Sequence, residues 1–501
     1  MSLLCGTPTQ TSNKGTREEK TMLYKELYRP QYHFSAPKGW LNDPNGLVWY
    51  KGEYHLFYQY YPHDILWGPM HWGHAVSTDL VHWENLPIAL APDENGTVFS
   101  GSVVVDHRND SGLFSGGEGL VAFYTGHIDR PGQHPIEHQC LAYSEDCGRT
   151  WKKYEGNPIL SAPETPDAYD FRDPKVFWHE ESGKWVMFLG GGFYRVYNSS
   201  DLIHWDLTSE SYIHEEFPDF ALVPVENSDD KKWVLNLAGF KYYICSFDGK
   251  RFIREEGPYT ADLSDGCQAT QTFSNIQDGR VIMMSWMRDG SRGPTFPWRN
   301  TMTVARELTL RKMSDGTHRL VQIPVKELSA LEAESIFELQ DTDLEPGKDI
   351  LNGVHCSQCV MEADLDISGK TGKTIFTILA DDRHWTKLVV DLDNGLFFVD
   401  YTGGNSPRWR DTQTSMDAWY FATNDIIKAR GKSYPVPLPD KDNLKVKALI
   451  DWTSMEIFLN DGLISFTFSV FPDAEADQLS LVSDDNIHVR SLSIKKMASI
   501  W

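Results

Sequence analysis

One unit recurs four times along the first half of this chain: a short strand-like run ending in Ser, an Asp two residues on, and a second run opening on an aromatic. It occupies residues 74–83 (Ser77, Asp79), 141–151 (Ser144, Asp146), 196–205 (Ser199, Asp201) and 244–252 (Ser246, Asp248). An Asp side chain that accepts backbone N–H groups closes a turn, so each copy reads as strand, turn, strand. Successive serines lie 67, 55 and 47 residues apart. Those intervals are too long for a hairpin repeat and suit a four-stranded blade with loops. From residue 23 to 311 the chain consists of aromatic and β-branched runs broken by Gly, Asn, Asp and Pro, with no sustained 3.6-residue period. The expectation is an all-β fold: a β-propeller of about five blades over residues 23–324.

Beyond Arg311 the composition changes. Residues 325–336 carry helix-forming types that are scarce elsewhere, so 325–344 reads as a connector. Alternating segments at 445–451, 455–459 and 489–494 predict a C-terminal β-sandwich over 345–501, with its acids in supporting positions. Residues 1–22 are polar and read as a flexible tail. Cys5 within it looks like the lipidated residue of a bacterial lipoprotein, which would place the protein at the cell envelope; without lipidation it would be cytoplasmic. No run of 18 apolar residues is present, so no membrane-spanning helix is expected.

Charge narrows the partners. With 47 basic against 71 acidic residues the net charge is −24, which repels phosphate backbones and anionic lipid headgroups. Nucleic acid is excluded as a partner and a neutral ligand favoured. The 17 Trp supply flat apolar faces on which sugar rings can pack. Seven cysteines at irregular spacing do not form a disulfide framework. Cys356 and Cys359 stand alone as a pair and, on one continuous strand, would point to opposite faces. His71 and His74 read as strand residues. No metal-ligand set or cofactor motif emerges.

Asn42-Asp43-Pro44-Asn45-Gly46 is by itself a turn sequence. It lies between Trp40 and an aromatic strand at 54–60, and a propeller gathers such segments around its channel. Here the chain resembles glycoside hydrolase family 32, the invertases, inulinases and levanases, over residues 31–501. Trp40 to Gly46 matches the motif that carries the family's aspartate nucleophile, at Asp43. Phe171-Arg172-Asp173-Pro174 matches the motif of the transition-state stabiliser, at Asp173. Glu216-Phe217-Pro218-Asp219 matches that of the general acid, at Glu216. Asn42, Gln59, Trp67, Phe99, Ser100, Arg172 and Trp286 match residues around the fructosyl ring. Ile450-Asp451 through Gly462 and the closing Ser499-Ile500-Trp501 extend the resemblance into the second half. The resemblance implies a five-bladed propeller with a β-sandwich, no cofactor, and retaining hydrolysis of β-fructosidic bonds in fructans or sucrose.

One position departs from the family pattern: Phe217 stands where Cys is usual. Because Glu215 precedes Glu216, the choice of acid depends on register. Such a reaction needs one ionised carboxylate to attack and one protonated carboxyl to release the leaving oxygen. Glu216 is expected to hold the proton, through partial burial and repulsion from Asp43 and Asp173. Three alternatives remain open at this point. A fructosyltransferase would use the same residues. A sialidase-like enzyme is suggested by the single close copy of an aspartate box at 144–151. A non-catalytic fructan-binding protein would have no need of Asp43 and Glu216 together.

Overall fold

The computed structural model describes residues 23–163, 170–213, 215–264, 266–288, 294–405 and 433–501. The expected tail, with Cys5, lies outside them. The described residues between 39 and 324 form five sheets, antiparallel but for the pairing of Gly39–Tyr50 with Trp298–Arg299, arranged as the blades of a propeller. Their innermost strands are Gly39–Tyr50, Thr97–Asp106, Phe171–His179, Pro218–Pro224 and Cys267–Thr272, numbered here blades I to V. The ring closes between blades V and I, where Trp49 N–H donates to the Ser274 carbonyl and Ser274 N–H to that of Leu47. Separate apolar clusters fill the gaps between successive blades, such as Phe123, Phe171 and Met187 between II and III, and Phe188, Phe220 and Leu235 between III and IV.

The recurring Asp turns fall where a four-stranded blade requires them, in the hairpin between its third and fourth strands. Asp79 accepts from the N–H groups of Val81 and His82, Asp201 from those of Ile203 and His204, and Asp248 from those of Lys250 and Arg251. Blade V has a fifth turn, at Asp315, which accepts from Thr317 N–H.

The segment 42–46 is not a turn. It runs within the strand Gly39–Tyr50 as a bulge: Asn42 and Asp43 together face the single residue Gln59 across the ladder. The same two-against-one irregularity recurs at Phe99-Ser100 opposite Thr125, at Asp173-Pro174 opposite Leu189, and at Ala269-Thr270 opposite Ser285. A bulge bends its strand and redirects side chains. Repeated at the same end of four blades, it turns short segments toward one channel mouth. Gly46, φ +54°, has no room for a side chain, because a Cβ there would lie 2.5 Å from Val103 Cγ2.

The expected helical connector is a short 3-10 turn, Lys326–Leu331, followed by a strand, Glu332–Asp343. That strand pairs with His488–Met497 and so belongs to the sandwich. Helix-forming residues yield here to an unpaired sheet edge that a strand can satisfy. Among the described residues the sandwich consists of two six-stranded sheets around one apolar core.

A buried charge network joins the two parts. His33 contacts Asp451 (2.8 Å) and Glu456 (3.0 Å), and Arg306 on blade V reaches Glu456 (2.6 Å). All four side chains are fully buried. The strand expected to carry both Cys356 and Cys359 breaks between Val354–His355 and Gln358–Asp366. Cys356 Sγ consequently donates to the Gln358 carbonyl at 3.4 Å, and the two thiols lie close enough to interact instead of facing apart.

Candidate active site

The bulges of blades I and II set Asp43 against Ser100. Ser100 Oγ donates to Asp43 Oδ2 at 2.7 Å, and Asn42 Nδ2 donates to Oδ1 at 3.0 Å. Asn42 is held in turn by Trp40 Nε1, at 2.7 Å. Burial raises the Asp43 carboxyl above its ordinary range; the Ser100 and Asn42 hydrogen bonds counter that, and the Glu216 charge adds to it.

Asp173 sits on the blade III bulge with φ +62°, a left-handed conformation that an Asp tolerates better than most residues. It is 7% exposed. Its backbone N–H, released from the ladder, donates to Thr125 Oγ1 at 3.0 Å, and its Oδ2 accepts from the Phe217 N–H at 3.0 Å. Burial pushes its carboxyl well up, Arg172 opposes that shift, and the charges of Glu216 and Asp43 reinforce it.

Glu216 arrives from the start of blade IV. Arg172 Nη2 donates to its Oε2 at 3.2 Å. Its carbonyl accepts from the Tyr194 hydroxyl, and the Glu215 carbonyl accepts from the Gly191 N–H. The register thus presents Glu216 to Asp43, Asp173 and Arg172. Beneath it, a Cβ on Gly190 would come within 2.9 Å of Pro218 Cδ, so a larger residue there would displace the acid's segment. The expected burial of Glu216 is not found. Its side chain is 52% exposed, and the desolvation falls on the two aspartates, which sit deeper in the mouth.

Phe217 takes a positive φ of 51° and packs with Ala238 and Ala269. The ring fills space between blades IV and V while its N–H holds Asp173. Asp219 completes the motif as a brace, paired with Lys175 at 2.6 Å and accepting from Thr272 N–H at 3.0 Å. Removing one partner of such a buried pair costs about 3–5 kcal/mol.

Behind Arg172 stands a residue that sequence reasoning missed. Glu137 is 1% exposed and accepts from Arg172 Nη1 (2.9 Å) and Phe171 N–H (2.7 Å), with His127 at 3.0 Å. Burial alone would raise its carboxyl, but the His127 hydrogen bond and the Arg172 charge hold it below the ordinary range. His127 stacks on Phe99 at 4.0 Å, and Phe99 meets the edge of Trp67. A continuous chain of contacts therefore runs from the acid to the pocket wall. Nothing in the local sequence marks Glu137; only its place on a strand facing Arg172 reveals it.

The remaining expected residues lie around this center. Gln59 is buried opposite the first bulge and donates to the Val98 carbonyl at 3.0 Å, bracing the second. Trp286 is 5% exposed and meets Trp40 edge to face at 6.3 Å. Trp67 is 43% exposed at the rim. His74 is buried and stacks on Phe57 within blade I, away from the mouth. The chemistry available is that of three carboxylates and one guanidinium at the channel mouth.

Comparison with known proteins gives a consistent picture. Residues 33–324 match the model of the glycosyl hydrolases family 32 N-terminal domain, and 327–496 that of the family's C-terminal domain. The chain is 38% identical to a levanase of Bacillus subtilis (strain 168), with 95% of this chain and 72% of the levanase covered. It is 33% identical to a levanase of Bacillus sp. (strain L7), of which it spans about half, 53%. An extracellular exo-inulinase of Aspergillus awamori is 30% identical over 95% of this chain and 96% of its own length. The crystal structure of that exo-inulinase superposes with a TM-score of 0.83, covering 95% of this chain and all of the other.

Proposed function

The chain belongs to glycosyl hydrolases family 32 and is a glycosidase that hydrolyses β-fructosidic bonds, and from that premise we propose that Asp43, Asp173 and Glu216 divide the reaction among them. The observation that carries this reading is the meeting of three carboxylates from blades I, III and IV at one channel mouth, with Arg172 bonded to Glu216.

In the first step Asp43 attacks the anomeric carbon of a β-fructosyl unit while the bond to the leaving oxygen breaks, and Glu216 gives that oxygen its proton. In the second, the Glu216 carboxylate takes a proton from water as the water oxygen attacks the same carbon and frees Asp43. Positive charge develops on the sugar in both steps. Asp173, pinned by its own N–H and by Phe217, is placed to hold the neighbouring hydroxyls with bonds that strengthen as that charge appears. Ser100 and Asn42 favour the ionised form of Asp43, which the attack requires. Arg172 aims the Glu216 carboxyl and is itself aimed by Glu137.

The substrates we assign are fructans, with sucrose as the shortest. The similarity to levanases and to an exo-inulinase supports this, as does a net charge that leaves neutral chains unopposed. The test is a product profile on levan, inulin and sucrose. Release of fructose from the fructans is expected. Release from none of the three, or growth of longer oligosaccharides in place of free fructose, would overturn the assignment.

A further inference from the structure

Among the described residues, four aromatic side chains stand out as exposed: Trp67, Tyr212, Phe296 and Tyr434, at 43, 73, 74 and 50%. Tyr434 belongs to the sandwich. The other three gather at one end of the propeller. Trp67 follows the strand Glu53–Tyr61, whose last residue pairs with Trp40. Phe296 precedes Pro297, whose carbonyl accepts from Gly39 N–H at the start of blade I. Tyr212 follows the strand Asp206–Ser211, whose last residue pairs with Tyr194. All three positions are at the mouth where the bulges open. Exposed rings scattered over a surface need no explanation; three at one rim do.

Tyr212 is distinguished from the other two by its neighbours. It meets Phe193 edge to face, with centroids 5.5 Å apart at 74°. Phe193 is held from behind by Arg195, whose guanidinium lies 5.5 Å from its ring, and Arg195 is itself 3% exposed and paired with Glu210. Phe193 also precedes Tyr194, whose hydroxyl holds the Glu216 carbonyl. The aromatic pair and the acid are thus parts of one cross-braced rim, formed by residues 191–194, 212–213 and 215–216.

A general acid must stand beside the leaving oxygen, so the side of the site on which Glu216 lies is the leaving-group side. Rings on that rim meet the sugars beyond the scissile bond and not the fructosyl unit under attack. The pair offers a flat apolar face with a hydroxyl at its edge, which suits a sugar ring. We propose that Tyr212 and Phe193 form a stacking platform for the leaving part of a fructan chain, and that this platform sets the preference of the enzyme for fructans over sucrose. The proposal rests on the reading of Glu216 as the acid.

Stacking made equally in the bound and transition states acts on KM more than on kcat. In Tyr212→Ala the ratio of kcat/KM on inulin or levan to kcat/KM on sucrose should fall about fivefold or more, mainly through KM. Tyr212→Trp should restore the ratio, and Phe193→Ala should lower it. Tyr212 is mostly exposed, so its truncation leaves the core untouched. An unchanged ratio, or an equal fall on sucrose and fructan, overturns the platform while leaving the acid assignment standing. A wild-type enzyme that releases fructose from none of these substrates overturns instead the reading on which the platform rests.

Discussion

The backbone N–H of Phe217 donates to Asp173 Oδ2 at 3.0 Å, fastening the residue beside the acid to the carboxylate of the neighbouring blade. Two groups with different tasks thereby share one geometry. The bond depends on the left-handed backbone at Phe217 and not on its ring, which fills an apolar gap. Phe217→Cys should therefore keep kcat within a few-fold while lowering stability by about 2–4 kcal/mol through the cavity it leaves. Denaturant unfolding together with steady-state kinetics checks both halves. A large loss of kcat at unchanged stability would contradict this account.

The register of the acid can be read directly from kinetics. Glu216→Gln should lower kcat by about 10²–10⁴-fold, whereas Glu215→Gln, whose segment is fixed through its backbone, should stay within about threefold. Asp43→Asn should cost at least about 10³-fold. Equal losses at 215 and 216 would mean that the strand presents both carboxyls.

As the proposed nucleophile Asp43 must be ionised, and its carboxyl is raised by burial, so kcat/KM should fall on the acid side from a pH above the ordinary carboxylate range. The Ser100 hydrogen bond favours the ionised form. Ser100→Ala removes it, raises the carboxyl further, and should move the acidic limb of the pH profile to higher pH. An acidic limb that stays in place in Ser100→Ala would show that Asp43 does not set it.

The buried network between propeller and sandwich has its own pH signature. Asp451 and Glu456, against the opposing effect of burial, raise His33 from 6.5 to about 9. A raised histidine stabilises the fold fully below its unfolded value and loses that contribution as pH rises through the folded one. The wild type should accordingly lose stability between about pH 6.5 and 9 relative to His33→Gln. Parallel unfolding curves for the two proteins across that range would rule it out.

The propeller was legible because each blade needs a turn, and a Ser followed two residues later by Asp marks four of them. The fifth, at Asp315, escaped because its Ser314 is adjacent to the Asp. The meeting of Asp43, Asp173 and Glu216 was legible from their short motifs. Their supports were not. Glu137 lies 35 residues from Arg172, and His33 lies 418 from Asp451, so neither contact leaves a local trace. The bulge at Asn42-Asp43 was hidden for a different reason. Turn residues and bulge residues answer the same backbone demand, and only the partner strand distinguishes them. Burial was misjudged at Glu216 because depth in a funnel depends on where the blades converge.

The bulges separate two sets of residues that face different constraints under substitution. The side chains on them, Asn42, Asp43, Phe99, Ser100 and Asp173, carry no ladder register, whereas Asn45, Gln59, Trp72 and Thr125 bond the backbone groups the bulges release. Replacing the first set changes what the mouth does and leaves the sheets paired; replacing the second strands buried polar backbone. A library at the bulge positions that keeps Asp43 and Asp173 would therefore sample new specificities on an unchanged scaffold, with folding and specificity open to separate selection.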